Sequence, residues 1–213
     1  MEIRAYPEEY LRFAQRILGD AFDFAVNTLN VDADAFTDAF LVSGRAAQFE
    51  RGNPTYVAGM TGCELARDAL DAVHFPYENR DDVMYLDKSP EYWAGWALAF
   101  YQWYTAKPFS MIHKAVPAWE VLQLYTPYHE MDPMQFVDEM NRRLGLFYKD
   151  TRLHARRVAM GFSQSALAKA SGVPLRQIQQ FEQRVRDINK TQAMNLYRLG
   201  RALGCGTEEL LEL

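Results

Sequence analysis

The 213 residues are 49% hydrophobic and 14% aromatic, enough apolar material for one large core or two modest ones and too much for a disordered chain. Twelve glycines and nine prolines are too few for a collagen-like or low-complexity protein. The net charge of −5 hides a reversal, because residues 1–140 hold 10 Lys/Arg against 22 Asp/Glu (−12) and residues 141–213 hold 13 against 6 (+7).

The predicted elements are helices almost throughout. From Glu8 to Leu29, the residues Leu11, Ala14, Leu18, Phe22, Ala25 and Leu29 recur every three or four positions and make one apolar face. Asp32 to Val42 follows as a helix, with Asp32 and Asp34 suited to its start. Gly44 and then Arg51-Gly52-Asn53-Pro54 read as turns. Met60 to Val73 is again helical, capped by Thr61. Ser89-Pro90-Glu91 opens a helix to Ala106, since serine caps well and proline fits the first helical position. That helix carries Tyr92, Trp93, Trp96, Leu98, Phe100, Tyr101, Trp103 and Tyr104 nearly all round, so it belongs among other helices. Pro108, Pro117, Pro127 and Pro133 divide the next stretch into short helices, the last running from Pro133 to Leu144. Few runs alternate with period two, and no repeat of 20–50 residues stands out. The fold class is therefore all-α: an acidic helical domain over residues 1–146 and a basic domain over 147–213, with the boundary near Gly145 to Asp150.

The basic part is the natural place to look for a polyanion. In TRLHARRVAMGFSQSALAKASGVPLRQIQQFEQRVRD, two helices are expected, Ser163 to Ala170 and Pro174 to Gln183, joined by Ser171-Gly172-Val173. Ser163 caps the first, Gly172 takes the left-handed backbone of the turn, and Pro174 sits in the first turn of the second. Ala168 is small enough for a close crossing, and Val173, Ile178 and Phe181 fall on one buried face. Asn189 with Gln192 reads as a capping pair before Ala193, Leu196, Tyr197, Gly200 and Leu203. Gly204 and Gly206 break that run, and Thr207-Glu208-Glu209 starts a last short helix.

Over roughly residues 148–213 the chain resembles the lambda repressor/Cro-like, XRE-type helix-turn-helix family. The resemblance implies a five-helix DNA-binding domain whose second central helix enters the major groove. It implies base reading by Leu175, Arg176 and Gln180, with Arg suited to guanine, Gln to adenine and Leu to a thymine methyl. Gln164 is expected on a phosphate, Gln177 is a second candidate for contact, and Arg184, Arg186, Asn189 and Lys190 match the loop that grips the backbone. Arg157 and Glu182 match a structural pair that ties the recognition helix to the module. Two positions depart from the family pattern. Gln183-Arg184 stands where the turn usually has glycine, and Asp187-Ile188-Asn189 stands where a proline often follows, so the backbone of that loop is expected to differ.

No catalytic constellation emerges, and no enzyme, metal or cofactor is expected. His129-Glu130 lacks a second histidine, with Pro133 four residues on. His74, His113, His129 and His154 are scattered away from Cys63 and Cys205. No phosphate-cradling loop or Gly-x-Ser-x-Gly elbow occurs, and Gly52, Gly59 and Gly62 read as turn glycines. No apolar run reaches 18 residues, Gln102 interrupting the longest, so a membrane partner is not expected. The opening Met1-Glu2-Ile3-Arg4 does not read as a secretory leader, and two cysteines fit a reducing, cytoplasmic setting.

The acidic domain is less specific. Its aromatic helix reads as core, with partner contact through Trp93, Trp96, Trp103 or Tyr104 as the alternative. The stretches QFERGNPTYVAGMTGCELA and EYWAGWALAFYQWYT resemble bacterial regulators encoded near toxin-like ADP-ribosyltransferases, which implies an antitoxin whose N-terminal domain binds a cognate toxin. Three functions follow: a homodimeric repressor on double-stranded DNA, an antitoxin that autoregulates its operon, and a regulator whose helical domain senses a small molecule or peptide.

Overall fold

The computed structural model describes residues 4–83 and 85–212. Among them every regular element is helical and no strand occurs, in agreement with the all-α expectation. Two units divide the chain, Met1–Phe147 and Tyr148–Leu213. No described helix is long and apolar enough to cross a membrane.

In the N-terminal unit, helix α1 (Leu11–Asp23) is begun by a 3-10 turn at Glu8–Tyr10 and prolonged by a π-helical stretch at Phe24–Thr28. The single run predicted to Leu29 is thus one helical path with three pitches. Then come α2 (Ala33–Val42), α3 (Arg45–Glu50), α4 (Pro54–Val57), α5 (Gly62–Ala72) and α6 (Pro90–Thr105). The unit closes with α7 (Phe109–Ala115), α8 (Ala118–Gln123), α9 (Tyr125–Tyr128) and α10 (Pro133–Phe147).

The predicted start signals are made in full. The Asp32 carboxylate accepts from the Asp34 and Ala35 amides at 2.9 and 3.1 Å, and Thr61 forms a reciprocal capping box with Glu64. Ser89 Oγ accepts from the Tyr92 amide at 3.0 Å, with Pro90 in the first helical position. Each satisfies amides that the helix itself leaves unpaired.

Helix α1 packs against α5 and α6, and glycines set how closely. A methyl group on Gly95 of α6 would lie 2.4 Å from the Leu18 carbonyl oxygen, and one on Gly62 of α5 would lie 2.5 Å from the Ala21 amide nitrogen. Gly62 therefore serves close approach between helices instead of the turn expected of it. Beside this layer Phe22, Phe36, Phe40, Phe49 and Phe109 form a continuous ring cluster, with successive centroids 5.0–6.3 Å apart, spacing at which aromatic pairs add to simple burial.

The aromatic residues of α6 divide between core and half-buried positions. Trp103 is 7% exposed and donates from Nε1 to the Tyr6 carbonyl at 2.8 Å. The alternative of Trp103 as a partner contact is thereby corrected, because its polar edge and its apolar body are both used inside the unit. Trp93, Trp96 and Tyr104 are half-buried. Trp93 meets Tyr125 and Phe136 edge to face, Trp96 lies parallel to Phe100, and the Arg4 guanidinium sits 3.7 Å from the centroid of Tyr104.

The C-terminal unit contains α11 (Arg152–Ala159), α12 (Gln164–Ser171), α13 (Leu175–Glu182) and α14 (Ala193–Leu203), with 3-10 turns at Ile188–Lys190 and Thr207–Leu210. Its core joins every one of them: Leu153, Leu167, Val173, Ile178, Phe181, Ile188, Leu199, Leu203 and Leu210 are all buried together. Gly204 ends α14 in the left-handed conformation, the stop signal anticipated there.

Candidate nucleic-acid interface

The geometry of α12 and α13 follows from a few local choices. Ser163 Oγ accepts from the Ala166 amide at 3.0 Å and fixes where α12 begins. Gly172, at φ +70°, turns the chain after Ser171, and the buried Ser171 hydroxyl donates to Leu167 O while accepting from the Val173 amide. Pro174 is the cap residue of α13, one position earlier than predicted, and its carbonyl accepts from the amides of Gln177 and Ile178. With Val173, Ile178 and Phe181 turned into the core, the opposite face of α13 is left outside.

That outer face carries the predicted readers. Leu175 and Arg176 are exposed and Gln180 is half-buried. They stand on a helix whose far end is clamped. Arg157 donates to Glu182 through Nε and a terminal nitrogen at 2.7 and 2.9 Å, and its remaining terminal nitrogen donates to Phe162 O at 2.7 Å. The two side chains are only 10% and 5% exposed, so this is a buried, bidentate pair. Burial pushes the Glu182 carboxyl up, but hydrogen bonds from Arg157 and Gln164 outweigh it and hold the group below its ordinary range. Gln164 donates from Nε2 to Glu182 at 2.8 Å, which places it beside the pair at the start of α12.

The other predicted contacts separate into outward and inward groups. Lys190 is 86% exposed, 3.6 Å from Asp187. Arg186 is also exposed, its guanidinium 5.9 Å from the centroid of Phe181. Gln177 is half-buried and accepts from Asn195 Nδ2 at 3.4 Å, bridging α13 to α14.

Two residues expected on phosphates are already bonded within the unit. Arg184 adopts the left-handed conformation at φ +54°, taking the backbone role usually left to glycine. Its guanidinium donates to the carbonyls of Lys149 and Tyr148, each at 2.7 Å, so the side chain stitches the loop to the start of the module. Asn189 forms a two-bond clasp with the backbone of Glu212, donating to its carbonyl at 2.8 Å and accepting from its amide at 2.9 Å. Nor does Asn189 cap α14: the cap residue is Gln192, without a side-chain bond, while Asp187 caps the 3-10 turn.

Sequence reasoning missed Glu212, whose carboxylate also accepts from the Arg152 amide at 2.6 Å. No local pattern marks a residue that closes a contact 60 positions away. Among the described residues, no group of three His, Cys, Asp or Glu side chains is gathered to hold a metal ion.

Residues 153–210 match the helix-turn-helix family model HTH_3. No curated protein and no solved structure matches the chain. The buried Arg157–Glu182 pair, the Gly172 turn, the exposed face of α13 and this match together identify the C-terminal third of the chain as a helix-turn-helix domain of the lambda repressor/Cro-like, XRE type.

Proposed function

We propose that this DNA-binding transcriptional regulator is a sequence-specific repressor that covers promoter DNA as a homodimer. The observation that carries the reading is the outer face of α13, where Leu175 and Arg176 are exposed and Gln180 half-buried on a helix fixed by a buried ion pair. Arg176 supplies the two donors that match guanine O6 and N7, and Gln180 the donor and acceptor that match adenine. Lys190 and Arg186, exposed in the following loop, supply phosphate contacts that set orientation without reading sequence. Two copies related by a two-fold axis place their recognition helices one helical turn apart, about 34 Å. Selection of bound duplexes from a random pool tests this: the account expects an enriched pseudo-palindrome with that spacing, and a bound pool no different from the input contradicts it.

A second reading, in which the N-terminal unit also holds a cognate toxin, is favoured by the acidic balance of −12 over residues 1–140, which complements a basic cleft on a partner. Co-purification of a neighbouring gene's product with the full chain tests it, and its failure leaves the repressor reading intact.

A further inference from the structure

A cavity of about 420 Å³ opens in the N-terminal unit, walled by Tyr92, Trp93, Trp96, Phe100, Tyr125 and Phe136. Its volume lies in the range of small-molecule sites, and the DNA-reading account makes no use of it. Rings from α6, α9 and α10 converge there, so the wall is built by tertiary packing of separate elements.

The polar end of the cavity is lined by Lys88 and Ser89, and the charges behind them are already arranged. The Lys88 ammonium lies 2.9 Å from Asp20, whose side chain is 8% exposed. Asp23, 2% exposed, accepts from two neutral donors, Ser89 Oγ and Asn27 Nδ2, each at 2.8 Å. Arg16, the other cation acting on Tyr92, stands on the exposed side of α1. His129, also on the wall, stacks on Tyr125 and pairs through Nδ1 with the Tyr125 carbonyl.

This arrangement discriminates by charge. The Lys88 ammonium is neutralised in place by Asp20, and an anionic ligand would face the negative faces of the rings. A cation meets those faces favourably. The protein itself displays the interaction, since the Lys88 ammonium rests 4.1 Å from the centroid of Tyr92. We propose that the cavity binds a monovalent organic cation with an apolar body, on the ring faces of Trp93 and Trp96. The proposal goes beyond the repressor reading and stands or falls without it.

The test uses the full chain without DNA and two probes of the same shape and opposite charge, tetraphenylphosphonium and tetraphenylborate, followed by tryptophan fluorescence and titration calorimetry. Saturable one-site binding of the cation, with no binding of the borate at equal concentration, is the expected result. Lys88→Met removes the resident ammonium and frees Asp20, so it tightens the cation by about threefold. Trp96→Leu loosens it by about tenfold with an unchanged circular dichroism spectrum. Absence of saturable cation binding, borate binding of equal strength, or weaker cation binding by Lys88→Met with an unchanged circular dichroism spectrum overturns the proposal. The two probes on the unsubstituted chain keep the test decisive even if either variant fails to fold.

Discussion

At the scale of single residues, Glu182 decides whether α13 is held in place. Replacing it with Gln leaves the Arg157 guanidinium buried without its counter-charge, and breaking a buried pair in this way costs about 3–5 kcal/mol. The expected outcome is a lowered unfolding temperature for the C-terminal unit, read by calorimetry of wild type and Glu182→Gln. The pair also sets a pH dependence. Because the folded-state carboxyl of Glu182 is held below its ordinary value, its stabilising contribution is complete above about pH 4.3, where an unfolded glutamate titrates. It is lost as the pH falls through the lower folded value. Wild type therefore loses stability in that acid window, and Glu182→Gln lacks this part of the loss; identical acid profiles for the two contradict the assignment. Arg184 and Lys190 make a second contrast. The Arg184 guanidinium is committed to two carbonyls, whereas Lys190 projects into solvent. Lys190→Ala should reduce the salt slope of DNA binding by about one unit, while Arg184→Ala should lower thermal stability and leave the slope unchanged. An altered slope in Arg184→Ala would return that residue to the phosphate set.

Among the elements, the tightest constraint is the crossing of α1 and α6. Gly95→Ala sets a methyl against the Leu18 carbonyl, and because backbone must move to admit it, a destabilisation of about 1–3 kcal/mol is expected. Chemical denaturation of the N-terminal transition measures it, and an unchanged midpoint contradicts the close crossing. This scale also shows what could be read from the chain alone. The starts at Asp32, Thr61, Ser89 and Ser163 were legible because a cap and the amides it satisfies lie within three residues of each other. The Gly172 turn was legible for the same reason. Asn189 was misread because its carboxamide turns to Glu212, 23 residues away, a choice made by the tertiary fold. The bonds of Arg184 were not legible because nothing in its neighbours indicates that it would take a left-handed backbone and reach back to Tyr148 and Lys149. The rings at positions 92, 93, 96 and 100 were visible as part of a helix apolar nearly all round, but that they line a cavity depends on Tyr125 and Phe136 arriving from α9 and α10.

Across the whole molecule, the division of charge and the division of structure coincide in meaning: the basic residues gather in the unit that carries the helix-turn-helix, and the acidic excess lies in the other. A polyanion is attracted to the first and repelled by the second, so the binding surface is set by electrostatics before any base is read. Specificity then rests on the few side chains of α13 that leave the core. The most direct measurement is a titration of wild type and Arg176→Ala against the selected duplex and a scrambled duplex of equal length, at one fixed salt concentration. The account predicts that the substitution removes roughly 1–3 kcal/mol of the preference for the selected duplex and little of the affinity for the scrambled one. An equal preference in wild type and Arg176→Ala would contradict it.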